Sequence, residues 1–241
     1  MAASTQTTVG QLVVERPSRS RVFEELGIDY CCGGRKSLAD ACRSRGLDPD
    51  TVLQALLGNE PAEPADTADV SSLSLSDLCD LVETRHHAYL KRELPRLQFM
   101  VERVASVHGD HSPWMREVAT VFSPLHEELA AHMQKEERVL FPLIRAIEAG
   151  QTGAAQHCGG TIAHPIRAME YEHDSAGDAL HRIRDLTGSY TPPANACNTF
   201  RAVLDGLREL ELDMHRHIHK ENNVLFPRAL ELEGRADAPL E

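Results

Sequence analysis

Positive charge is scarce in this chain: 25 Lys and Arg stand against 37 Asp and Glu, a formal charge of −12 with a pI near 5.5. Nucleic acid and anionic membranes demand clustered basic residues, so neither is expected as a partner. Long apolar runs are missing too; none approaches the roughly 18 residues that a membrane span requires. The opening stretch, MAASTQTTVGQL, has neither the basic region nor the apolar run of a signal peptide. No segment alternates apolar and polar residues as a half-buried strand would. A disulfide framework is absent as well: Cys42, Cys79, Cys158 and Cys197 are scattered singly, and only Cys31 and Cys32 adjoin. These absences leave a soluble, all-α protein, expected in the cytoplasm, whose 41% apolar content suffices for a real core.

What is present falls into two segments. Residues 1–58 read as a small domain of short helices. Pro17 and Ser18 open one helix and Gly27 closes it; Ser37 caps a second that stops at Gly46; Asp48-Pro49 begins a third. DYCCGG, between the first two, is a turn by its paired glycines. Residues 59–72, rich in Pro, Ala and acid, read as a linker. From residue 73 to about 235 the period is helical. Four long helices are expected: Ser74 to about Val107, Pro113 to Ala149, Pro165 to Leu186, and Ala194 to about Glu233. Pro95 is a candidate kink and Pro124 a candidate break or bend. Such a pattern predicts a four-helix bundle.

One phrase is written twice. HMQKEERVLFP at residues 132–142 returns as HIHKENNVLFP at residues 217–227, 85 residues later. Residues four apart share a helix face, so His132 points with Glu136, and His217 with Glu221. Each pair continues an apolar stripe: Leu125, Leu129 and Leu140 in one helix, Leu210, Met214 and Leu225 in the other. Two imidazoles and two carboxylates are thereby aimed at a bundle interior. A buried carboxylate is costly unless paired or bound to metal, and two facing each other repel. A pair of cations, with each Glu able to bridge, resolves both problems. Glu137 has Asn222 as its counterpart, so it is not shared and is expected to be solvated.

Two ions need more donors. His173, in MEYEHD, is preferred over His181 on the third helix. On the first helix periodicity leans slightly to His86 over its neighbour His87. Ligating His rings usually give their second N–H to a carboxylate or carbonyl. Glu128 and Asp213, each four residues before a His of the repeated phrase, are candidates for that role or for a path by which the metal passes, with Glu172 behind them.

DYCCGG, RHHAYLKRELP, HEELAAHMQKEERVLFP, MEYEHD and HIHKENNVLFPRAL together resemble the Repair of Iron Centers family (RIC, YtfE/ScdA-like), over nearly the whole chain. The resemblance implies a small N-terminal domain followed by a hemerythrin-like bundle with a dinuclear site. It puts the first-helix ligand at His87 rather than His86, and the others at His132, Glu136, His173, His217 and Glu221. It further implies two non-haem irons, bridged by carboxylates and an oxygen, and vicinal cysteines at Cys31 and Cys32. His215 and His219 crowd the second phrase, and His157, Cys158 and His164 fall in the loop before the third helix. A solvated loop accounts for the loop residues, and auxiliary metal binding is left open.

The family's association is with restoring iron–sulfur clusters damaged by nitric oxide or oxidants. The expectation is a di-iron protein that supplies iron to damaged iron–sulfur proteins, with Cys31 and Cys32, read as exposed thiolates, in thiol chemistry or iron transfer. The competing class is a module that binds nitric oxide or dioxygen; a third is a nitric oxide reductase, and a structural zinc bundle is the outsider. Homodimer formation is left open.

Overall fold

A computed structural model describes residues 3–58, 70–151 and 160–236. They are helical. No strand forms among the described residues, and only an isolated bridge links Thr8 to Ser37. No helix among them is long and apolar enough to cross a membrane.

The N-terminal segment holds α1 (Val9–Glu15), a 3-10 turn at Pro17–Arg19, α2 (Ser20–Leu26), α3 (Leu38–Arg45) and α4 (Pro49–Gly58). The punctuation acts as its chemistry requires. Ser37 accepts the Asp40 N–H to open α3, and Asp48 accepts that of Thr51 ahead of Pro49. Gly27 and Gly46 end their helices at φ of 65° and 66°, where a Cβ would be strained. The sequence gives little sign of α1. It is two turns long, with a Gly and three β-branched valines, and stands because Val9, Leu12 and Val13 are buried against Phe23, Tyr30 and Leu38. Residues 59–69, most of the expected linker, lie outside the described residues; Val70–Ser72 form a single 3-10 turn.

The four long helices follow. The first runs as Leu75–Leu81, a π turn at Val82–His87, and Ala88–His108. The second runs as Trp114–Lys135, a π turn at Glu136–Leu140, and Phe141–Glu148. The third is Ala163–Leu186. The fourth runs as Asn198–Lys220, a π turn at Glu221–Leu225, and Phe226–Ala236. Pro95 and Pro124 do not break their helices. Both lie on the exposed side, where water can serve the carbonyls they leave unbonded.

The chain groups into two compact units, residues 79–214 and residues 1–78 with 215–241. Within residues 79–214, Leu94, Leu97 and Val101 of the first helix, Val118, Phe122 and Leu125 of the second, Met169, Leu180 and Ile183 of the third, and Leu204, Leu207 and Leu210 of the fourth are buried. Gly206 marks a close crossing, since a Cβ there would stand 2.7 Å from Leu97 Cδ2. Arg184 of the third helix holds the buried Glu211 of the fourth at 2.9 Å.

In the other unit the N-terminal helices pack on the end of the fourth long helix. Asn223 fits between Gly10 and Gly34: a Cβ on either would fall 2.3 Å or 2.2 Å from its Oδ1. Arg228 donates to the Leu73 carbonyl at 2.7 Å.

Candidate metal centre

The repeated phrase adopts one local structure twice. His132 and Glu136 are buried, with Nε2 and Oε2 3.3 Å apart; His217 and Glu221 are buried, with Nε2 and Oε1 3.1 Å apart. In each copy the Glu opens a π turn. The Phe141 N–H bonds back five residues to the Glu136 carbonyl, and the Phe226 N–H to that of Glu221. The next residue is Pro142 or Pro227, which has no N–H to give and whose ring presses on the carbonyl four residues back. The opened turn relieves that crowding, and π turns of this kind concentrate at functional sites.

Within residues 79–214 two further side chains converge on His132 and Glu136. His87, closing the π turn of the first helix, sets its Nε2 3.2 Å from Glu136 Oε2. His173 Nε2 lies 3.1 Å from His132 Nε2. The ligand atoms of His132, Glu136 and His173 all fall within 4.8 Å of one another, and all three residues are buried. His86, equally buried, turns elsewhere and pairs its Nδ1 with Asp213 at 2.9 Å. His181 is half-buried and His164 exposed, and neither joins the group. His157 and Cys158 lie outside the described residues.

A second layer fixes the tautomers. His87 Nδ1 donates to Glu137 at 2.8 Å, and Lys91 donates to the same carboxylate at 2.6 and 2.8 Å. His132 Nδ1 donates to Glu172 at 2.9 Å, and Lys135 donates to that carboxylate too. The hydrogen bond from His132 is the main reason that Glu172 is held at about 2, with burial opposing it and Lys135 assisting. Burial pushes Glu137 up, but the bonds from Lys91 and His87 outweigh it and leave the carboxyl below its usual range. With protons drawn to Nδ1, both Nε2 atoms present lone pairs to the cluster.

This corrects the expected supporting residues. Glu137 is no solvated bystander but the partner of His87. Glu172, ranked last of the three, touches a cluster His, whereas Glu128 is exposed and meets only Ser175 at 3.4 Å. Asp213 serves His86. The repeat itself misled: the second copy has Asn222 where the first has Glu137, so matching the copies discards a residue whose partner sits on another helix.

His215 and His219 are buried, and their rings meet Tyr30 edge-on at 6.1 and 5.4 Å. Burial holds His219 near 4, hence neutral. Tyr30 leads into the cysteine pair. Asp29 accepts the Cys31 N–H at 2.9 Å and the Gly33 N–H at 2.8 Å, and Asn223 donates to the Cys31 carbonyl at 3.1 Å. Cys31 is buried rather than exposed, with Cys32 half-buried beside it. The contact with Cys32, then burial, then Asp29 push the Cys31 thiol up, opposite to the expected thiolate.

Imidazole nitrogens with a carboxylate suit a first-row transition ion. The fold and this donor set define a cation-binding protein of hemerythrin-like type, all-α, with a small N-terminal helical domain ahead of a four-helix bundle. The comparisons agree. The hemerythrin HHE cation-binding domain matches residues 82–229. ScdA_N, a domain of unknown function, matches residues 5–60. The chain is 39% identical to the iron-sulfur cluster repair protein YtfE of Musicola paradisiaca, over 93% of this chain and 96% of that one. It is 38% identical to the protein of that name from Pectobacterium carotovorum subsp. carotovorum, over 92% and 96%. The chain belongs to the Repair of Iron Centers (YtfE/ScdA-like) family.

Proposed function

We propose that this chain is a cytoplasmic di-iron protein that repairs iron–sulfur clusters damaged by nitric oxide or oxidative stress, by supplying iron to the damaged proteins. The observation that carries the metal assignment is the buried meeting of His87, His132 and His173 with Glu136, two of those rings locked by Glu137 and Glu172 so that Nε2 faces inward. His217 and Glu221, which repeat the local geometry of His132 and Glu136, would supply the remaining two ligands. When bound, the irons would supply a redox-active reservoir of metal that can be given up. The chain's own part is to fix the imidazole tautomers, to exclude bulk water from Glu136 and Glu221, and to balance their charge. The relatives' name supports cluster repair as the outcome, and delivery is assigned to Cys31 and Cys32.

The test uses iron-loaded protein and a dehydratase whose [4Fe–4S] cluster has been destroyed with nitric oxide. Recovery of dehydratase activity with matching loss of iron from the donor is expected, and Glu136→Ala should abolish it. Reversible nitrosyl formation with no iron transfer would replace repair by nitric oxide binding, and nitrous oxide release would replace it by reduction.

A further inference from the structure

Apart from the bundle residues, Asp29, Cys31 and Cys32 bring their ligand atoms within 4.8 Å of one another. The two Sγ atoms are 4.0 Å apart, and Asp29 Oδ1 lies 3.1 Å from Cys31 Sγ. Around a tetrahedral ion with metal–sulfur bonds of about 2.3 Å, two thiolates stand about 3.8 Å apart and a thiolate and carboxylate oxygen about 3.6 Å. The sulfur pair therefore already has the required spacing. Asp29 need only retreat by about 0.5 Å, as the thiol proton it now accepts departs.

The turn is built to hold this arrangement. Asp29 is pinned by the N–H groups of Cys31 and Gly33, and Asn223 pins the Cys31 carbonyl. Gly33 cannot carry a side chain, since a Cβ would stand 2.9 Å from the Asp29 carbonyl oxygen, and Gly34 is barred by Asn223. Neighbouring cysteines close a disulfide only by distorting the peptide between them, so the pair persists as a dithiol. Cys31 is buried while Asp29 and Cys32 are half-buried, so the trio is partly within reach of solvent. Closed four-ligand sites serve structure, whereas three protein ligands leave a position that an incoming group can take.

We propose that Asp29, Cys31 and Cys32 form a second metal site, which holds one divalent transition-metal ion in transit through two thiolates and a carboxylate. Soft sulfur donors with one carboxylate select Zn(II), Co(II) and Fe(II) over Mg(II) and Ca(II). Loading is a ligand exchange: the ion enters, one proton leaves each Sγ, and no electron moves. Use of the site as an iron relay rests on the repair function above; the site itself does not.

The probe is cobalt(II), added without oxygen to the full chain already loaded with iron. One equivalent should bind with a thiolate-to-cobalt charge-transfer band. Cys31→Ser and Cys32→Ser should each remove the band, and Cys197→Ser should keep it. Asp29→Asn retains an oxygen to cap the turn and should weaken binding about 10–100-fold, with the helical circular dichroism unchanged. Absence of the band in the unaltered chain, its survival in the Cys31→Ser/Cys32→Ser double variant, or full affinity in Asp29→Asn would overturn the site. A band accompanied by failed cluster repair leaves the site standing and removes the repair function; repair without a band does the reverse.

Discussion

Glu172→Ala and Glu137→Ala test whether the outer carboxylates set the metal affinity. Each substitution removes the charged acceptor that holds a proton on Nδ1, of His132 at 2.9 Å or of His87 at 2.8 Å. The freed ring can rotate or move its proton to Nε2, the atom that faces Glu136. Outer partners of this kind are worth about 10–100-fold in metal affinity, or about 1.4–2.7 kcal/mol. Competition with a coloured chelator at neutral pH measures this directly. Glu172→Gln, which keeps an acceptor oxygen but not the charge, should fall between the unaltered protein and Glu172→Ala. Asp213→Ala is the control. It strips His86 of its partner at 2.9 Å and should lower the melting temperature, yet leave metal affinity unchanged. Loss of metal from Asp213→Ala with normal binding in Glu137→Ala would make His86 the ligand and refute the assignment.

Other consequences follow from the same packing. Arg184→Met leaves Glu211 buried without its cation and should cost about 3–5 kcal/mol in denaturant unfolding; adding Glu211→Leu should restore much of it, because the unpaired charge is the source of the loss. In alkylation at pH 7.5 read by mass spectrometry, exposed Cys197 should react well ahead of buried Cys31. The rate at Cys31 should climb only as pH passes the ordinary thiol range near about 8.5, because its contact with Cys32, burial and Asp29 all push the thiol up. Pro142→Ala restores an N–H and removes the ring, so the turn at Glu136–Leu140 should tighten toward a regular helix and swing Glu136 off the cluster. Metal affinity should then drop with helicity retained; unchanged affinity would show that proline does not set this turn.

The helix pattern was legible because punctuation and periodicity act locally. Ser37, Gly27, Gly46 and Asp48 cap or stop the helices the sequence assigns to them. α1 was hidden because its stability is tertiary, supplied by partners that follow it in the chain. The direction of His86 against His87 was also beyond the stripe. The π turn at Val82–His87 shifts the helical register there, so counting at 3.6 residues per turn misplaces both. The supporting carboxylates depend on which helices become neighbours. Glu137 reaches the first helix and Glu172 the second, and no spacing within one helix encodes either contact.

The duplicated phrase carries more than its ligands. A His and a Glu four apart on a regular helix would share a face without further instruction. Each copy nevertheless ends in Phe-Pro, and each places the Glu at the start of a π turn whose Phe N–H returns to that Glu's carbonyl. The proline forgoes a backbone hydrogen bond and crowds the helix, so its presence at the same register in both copies points to a demand on backbone shape. On the di-iron reading proposed above, shape would matter because a carboxylate shared by two ions has a tighter requirement than facing inward. Hydrophobic patterning brings the Glu to the interior, and the opened turn adjusts its aim. The repeat is therefore better understood as a copied backbone device that delivers a carboxylate than as a copied pair of side chains.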